Sequence, residues 1–424
     1  MDEVHQFAAR KLLSFLPFTL LQTLLPATVI IATPKQSPLR ILVLPCLLSV
    51  AIFSLSRTIH SDSGVWCQSL LEIFLISNMC VATPQAINLL LANPLNRQDI
   101  LRGKKDLGFF YCLFQAARAL FETRGINTPW QIKNIPQHPQ YFAKRGMKIP
   151  CRGLFLLRQL SILLWQYLLL DIVQTAGKQS PPLEMDSQSI EWNISVLKWL
   201  ERVLTNLFIG FSSKLTSDTL YRFVSILLVG SGIDSPSNWP PAFGKITDVY
   251  NLRIFWGRYW HQNLRVPFSS FSNFVARTFL RLPRSSILER YSVFLVFLLS
   301  ASMHMMVDLA TSVGWERSGA IPFFLSIALG ILIEDSIQVV WRRVSGLGLP
   351  STLPSSWTRV AGIIWVVTWL GITSTVYFQP MLQEPKLAIT MVPFSIAELM
   401  GLDIAVAAAL LSGALIAWKF EAEI

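Results

Sequence analysis

Charge is scarce in this chain. Only 14% of its 424 residues are Asp, Glu, Lys or Arg, whereas a soluble globular domain carries about 25%. That shortfall, set against 52% hydrophobic residues, excludes a soluble globular protein. It also excludes disorder for most of the chain. Acids are scarcer than bases, 25 Asp and Glu against 36 Lys and Arg. The net charge of +11 comes without the aromatic–basic pattern or zinc spacing of a nucleic-acid binder. It reads instead as positive charge held in cytoplasmic loops, with an anionic head group or cofactor as a partner. Cysteine is scarce too. Cys46, Cys67, Cys80, Cys112 and Cys151 form no CxxC pair and are odd in number, which excludes a disulfide framework and a cysteine metal site. The N-terminal stretch has no small-residue cleavage signal, so it reads as a retained first helix rather than a signal peptide. No internal or inverted repeat is visible, against the habit of transporters.

What the chain has is long apolar runs. They fall at Leu12–Ala32, Arg40–Leu55, Val65–Leu91, Leu154–Ile172, Leu204–Gly232, Tyr291–Ala310, Ile321–Val340, Val360–Phe378 and Phe394–Trp418. Each is about as long as a bilayer-spanning helix. The fold class is therefore an all-α polytopic membrane protein with about nine transmembrane helices, within a range of about eight to ten. The whole of 1–424 forms one integral membrane domain. Pro84 predicts a kink in the third span. Lys214, Asp218 and Arg222 interrupt the fifth, which predicts a short amphipathic piece followed by a span.

Two polar loops stand out, at about residues 93–153 and 234–290. The first carries eleven bases, among them Arg102, Lys104, Lys105 and Lys133, against Asp99, Asp106 and Glu122. The second carries Lys245, Arg253, Arg258, Arg265, Arg277, Arg281, Arg284 and Arg290 against Asp234, Asp248 and Glu289. Between them, Gln174–Glu191 has Glu184, Asp186 and Glu191 against Lys178. The positive-inside rule puts both basic loops and the Arg342–Arg343 turn in the cytosol and the acidic segment in the lumen.

Of five histidines, only His304 lies deep in lipid-grade sequence, in YSVFLVFLLSASMHMMVDLA. An ionisable side chain there is costly and points to function. An imidazole suits proton transfer near neutral pH. If the helix enters at Tyr291, His304 lies about 20 Å in, past the middle of a roughly 30 Å core. Asp308 is one turn on, placed to orient the ring. The alternative is a buried histidine bonded to a neighbouring helix.

Three other stretches draw notice. FWGRYWHQNLRVPF, Phe255–Phe268, packs Phe255, Trp256, Tyr259 and Trp260 around Arg258, His261 and Gln262. It reads as an interfacial anchor or as part of a site where Arg258 meets phosphates. RGINTPWQIKNIP, Arg124–Pro136, is punctuated by Gly125, Pro129 and Pro136, so it is a structured loop rather than a helix. Trp130 and Lys133 either line the mouth of a cofactor site or belong to a solvated connector. Glu334 and Asp335 end an apolar run. They either pair with Arg342 or Arg343 or shape a reaction chamber.

Taken in order, RGINTPWQIKNIP, FWGRYWHQ, LLSASMH and GILIED resemble the wax-synthase-like branch of the membrane-bound O-acyltransferase superfamily. The resemblance spans about residues 100–345 and is nearest the fungal members that acetylate terpenoids and meroterpenoids. It implies tilted helices around an intramembrane reaction chamber, with His304 catalytic. His261 falls where many superfamily members carry a helper asparagine, and the branch itself shows WHQ there. The implied co-substrate is acetyl-CoA or another acyl-CoA, with no metal. Arg258, Trp260, Gln262, Trp130 and Lys133 are the implied cofactor-binding residues, and Asp308, Glu334 and Asp335 are supporting ones. The implied partners are a hydrophobic hydroxylated acceptor and membrane lipid, and the implied location is the endoplasmic reticulum.

The chemistry then follows. A neutral His304 takes the proton of an acceptor hydroxyl, and the alkoxide attacks the thioester. His261, Gln262 or backbone N–H groups stabilise the oxyanion, and the CoA thiolate leaves. Two other readings stand beside O-acetyl transfer. One is a long-chain wax-ester synthase, and the other, of a different class, is a transporter with a membrane proton relay.

Overall fold

The structure, a computed structural model, describes residues 2–59, 70–101, 108–179, 196–283, 286–311, 313–345, 356–383 and 391–420. Among them every regular element is helical. In chain order these are α1 (Asp2–Ala32), α2 (Leu39–Ile59), α3 (Leu70–Ile87), α4 (Arg97–Leu101), α5 (Phe109–Phe121), α6 (Gln140–Ala143), α7 (Arg152–Gln179) and α8 (Val196–Gly230). They continue as α9 (Leu252–Ile254), α10 (Arg265–Phe274), α11 (Ser286–Ala310), α12 (Ala320–Ser345), α13 (Ser356–Leu382), α14 (Ile396–Met400) and α15 (Leu402–Phe420). An apolar run in lipid has no water to bond its backbone, so it coils and satisfies itself.

Seven stretches of the described residues are long and apolar enough to cross a bilayer: Leu39–Ser56, Ile73–Ala92, Arg152–Gln179, Tyr291–Ala310, Ala320–Trp341, Ser356–Leu382 and Leu402–Phe420. The chain is an integral membrane protein. The other two expected spans are also helical. In α1 the described side chains begin at Leu16. The fifth expected span is not an amphipathic piece followed by a second helix. It is one unbroken 35-residue helix, α8. Its charges do not break it, because Asp218 and Arg222 sit one turn apart and pair at 2.8 Å. The loop expected over 93–153 is also more ordered than its polarity suggests and contains α5. The acids Glu184, Asp186 and Glu191, the bases Arg102, Lys104, Lys105 and Arg284, Cys67 and the side chain of Arg342 lie outside the described residues.

The expectation over 1–424 is one membrane domain; the chain packs as two compact units. Unit 1 comprises Met1–Ile132, Asn263–Gly346 and Pro380–Ala388. Its core holds Leu47, Leu89, Leu90, Cys112 and Ala116, from α1 to α5. Past Pro84 the third span changes from α to π-helix over Asn88–Ala92. Buried Arg40 collects carbonyls left over at these helix ends, donating to Leu90 O at 3.3 Å, Leu95 O at 2.7 Å and Thr33 O at 3.0 Å. α11 lies against α12, and α10 against α3 and α11.

Unit 2 comprises Lys133–Gln262, Leu347–Gln379 and Ile389–Ile424. α7 is its hub, packing on α8, α14 and α15. Small residues allow the close crossings. A Cβ on Gly413 would sit 2.8 Å from Trp165, and one on Gly371 would sit 2.8 Å from Val203, so glycine lets the helices approach. At the far end of α7 the buried carboxylate of Asp171 accepts from Ile396 N and Ala397 N, both at 2.7 Å. That caps the start of α14.

Candidate active site

The intramembrane histidine belongs to unit 1. Its ring Nδ1 lies 2.8 Å from the carbonyl oxygen of Ser300, one turn back on α11. A carbonyl only accepts, so Nδ1 carries the hydrogen and donates it. In the neutral ring Nε2 is then the basic nitrogen. One face of the ring rests on Phe324 of α12, with centroids 4.4 Å apart and planes at 36°. Phe324 is itself buried. As a residue His304 is half-buried.

Asp308 is fully buried on the same helix. Its Oδ2 accepts from Ser318 Oγ at 2.6 Å, and Ser318 Oγ accepts from Ala320 N at 3.3 Å. Asp308 thus closes the turn between α11 and α12, and the acceptor at His304 Nδ1 is the Ser300 carbonyl. Glu334 is buried on α12, and Asp335 beside it is partly exposed. Trp130 is also in unit 1. Its loop is built of tight turns, as expected. Gly125 has φ of +59°, and a Cβ there would meet Trp130 Cδ1 at 2.7 Å. Trp130 packs onto the α1–α5 core.

The aromatic motif belongs to unit 2 as far as Gln262. Asn251 Oδ1 accepts from Ile254 N at 2.7 Å and starts α9. The chain then widens into a π-helix over Phe255–Tyr259. This irregular turn spreads Phe255, Trp256, Tyr259 and Trp260 into one aromatic cluster. Burial pushes the Tyr259 phenol up, which keeps it protonated. Tyr259 O accepts from Gly244 N at 2.9 Å. A Cβ on Gly244 would lie 2.4 Å from Arg258 O, so glycine is required at this crossing. Phe243 next to it meets Trp260 and His261 edge-on at 5.6 Å and 5.9 Å.

Gln262 is buried, at 1% exposure. Its amide nitrogen donates to Asn134 O at 3.0 Å and to Gly257 O at 3.1 Å. Both donors of the amide are thereby used, so Gln262 ties the motif to the end of the Arg124–Pro136 loop. Asn134 accommodates the tie with φ of +63°. Lys133 and Arg258 are exposed.

A further set of polar residues lies between α7 and α8. Gln166 Nε2 donates to Asp218 Oδ2 at 2.8 Å, and Arg222 Nε reaches the same oxygen at 2.9 Å. Arg222 also bonds Gln159 Oε1. Arg158 is buried beside them. Sequence reasoning did not single out Arg158, Gln159 or Gln166. The available signal was spacing: Gln159 and Gln166 are seven apart, hence on one helical face. Among the described residues no three His, Cys, Asp or Glu side chains gather to hold a metal.

Fold and site together define an all-helical membrane protein with an oriented imidazole in one of its spans. The profile of the membrane bound O-acyl transferase family matches residues 239–326, which hold both the aromatic motif and His304. The chain is 37% identical to "Acetyltransferase spyB" of Aspergillus fumigatus, over 100% of this chain and 74% of that protein. It is 34% identical to "Acetyltransferase pyr8" of the same fungus, over 98% and 97%. It is 30% identical to "Acetyltransferase TRI7" of Fusarium sporotrichioides, over 94% and 93%. The chain belongs to the membrane bound O-acyl transferase family and is an acyltransferase of the membrane.

Proposed function

We propose that this chain transfers acetyl from acetyl-CoA to a hydroxyl of a hydrophobic small molecule, a terpenoid or meroterpenoid of secondary metabolism, at the endoplasmic reticulum membrane. His304 is the general base. The observation that carries this role is the Nδ1 hydrogen bond to Ser300 O. It restrains the ring and sets its tautomer, with Nε2 as the basic nitrogen. Nε2 takes the acceptor's hydroxyl proton as the oxygen attacks the thioester carbonyl. The tetrahedral intermediate collapses, the C–S bond breaks, and the imidazolium returns its proton to the departing CoA thiolate.

His261 has the hydrogen-bonding role at the acyl carbonyl that the family resemblance implies. Gln262 has a different part from the one its sequence suggests. With its amide hydrogens given to Asn134 O and Gly257 O, it positions the motif and leaves oxyanion donation to other groups. The names of the similar proteins favour acetyl over the long chains of a wax-ester synthase.

The test uses the purified full-length protein with acetyl-CoA and an extract of candidate hydroxylated metabolites. The expected result is CoA release only when a hydroxylated acceptor is present, with a gain of one acetyl unit on that acceptor by mass spectrometry. Acceptor-independent release, or a long-chain acyl gain, contradicts the proposal.

A further inference from the structure

α7 and α8 bury more positive charge than they neutralise. Asp218 is the carboxylate at this place, and both Arg222 and Gln166 bind its Oδ2. Arg158 is 94% removed from solvent, being 6% exposed. Its Nε is buried without a hydrogen-bond partner, although it lies within electrostatic reach of Asp218, Arg222 and Tyr141. Lys214, one turn before Asp218, places its ammonium 5.3 Å from the Phe243 ring centroid and is also within reach of Asp218. Among the described residues, three cations therefore share one carboxylate.

Such an excess is costly in low dielectric. A fold selected for stability alone would pair Arg158 or replace it with an apolar residue. Retaining a buried guanidinium that shares one carboxylate with two other cations makes sense if an anion arrives to supply further negative charge. Two observations say which anion. First, the cluster lies near one end of the α7–α8 pair. Arg158 is about 9 Å along α7 from its start, and Arg222 about 12 Å from the end of α8, at 1.5 Å per residue. Those two helix ends are held together by the bond from Arg152 to Gly230 O. Second, the cluster is continuous with the aromatic motif. The Phe243 ring under Lys214 is the one that meets Trp260 and His261.

We propose that Arg158, with Lys214 and Arg222, is a phosphate-binding site inside the α7–α8 pair, and that its ligand is the phosphate end of CoA. The pyrophosphate bridge carries one charge on each phosphorus, which matches the positive charge left over after Asp218. The inference rests on the acyl-CoA reading above and assigns the phosphates to residues different from the exposed Arg258 and Lys133.

The test is CoA binding by calorimetry to the full-length protein in phosphatidylcholine nanodiscs, with wild type and Arg158→Met. Charge-assisted hydrogen bonds lost to the ligand predict a CoA affinity about 10- to 100-fold weaker in the variant. Pantetheine, which lacks the phosphates, should bind both proteins equally. The thermal midpoint of the ligand-free variant should be unchanged or higher, since an uncompensated charge has been removed. Equal CoA affinity in the two proteins overturns the inference and leaves the acyl-CoA reading standing. So does an Arg158-dependent stabilisation by phosphatidic acid with unchanged CoA affinity, which would make the ligand a lipid head group. A wild type that binds no CoA overturns both.

Discussion

At the residue scale, the proposed chemistry depends on which nitrogen of one imidazole holds the hydrogen. A main-chain carbonyl at Nδ1 is a durable choice of partner, because no side-chain substitution removes it and it cannot take the proton away. It commits His304 to one tautomer. Asp308, one turn on, spends its Oδ2 on Ser318 and serves the α11–α12 turn. Gln262 joins two stretches of chain that are far apart in sequence. Replacing it with leucine removes both hydrogen bonds to Asn134 O and Gly257 O and leaves two carbonyls short of a donor. Gln262→Leu should cost about 2–4 kcal/mol of stability, read as a lowered thermal midpoint in detergent. A midpoint within a degree of wild type would show that the clamp carries little.

At the element scale, α7 and α8 show how a membrane helix carries charge without breaking. Lys214, Asp218 and Arg222 recur every fourth residue, so they lie along one face. That face meets Gln159 and Gln166 of α7. Charges met one at a time in an apolar stretch suggest an interruption, whereas a neighbouring helix with matching amides turns them into a seam. Asp218→Ala would remove the one carboxylate and leave the cations facing each other. The expected loss is about 3–5 kcal/mol, seen as cooperative unfolding at lower denaturant. Adding Arg222→Gln should recover part of it, because the orphaned charge goes too. If the double variant is less stable than Asp218→Ala, the seam is held by Arg222 in some other way.

At the scale of the whole molecule, the sequence is legible where one residue type repeats over a bilayer's length. The Tyr291–Ala310 run reappears unchanged as a candidate span, and Ile321–Val340 falls within Ala320–Trp341. The Arg124–Pro136 turns are legible for a local reason, since glycine, proline and asparagine each act on their own backbone. What stayed hidden is non-local. The acceptor of Gln262 is 128 residues away, and Arg158 looks like a stray base in α7 until α8 lies beside it. The division of Phe255–Phe268 between two compact units at Gln262 and Asn263 has no signature in composition either.

The account turns on His304 as the base of an acyl transfer, and the direct measurement is acceptor-dependent CoA release by His304→Ala in nanodiscs, with CoA binding measured on the same sample. The account predicts turnover at least about 100-fold below wild type, with CoA affinity and thermal midpoint retained. Turnover within a few-fold of wild type, in a variant that folds and binds CoA, would contradict it.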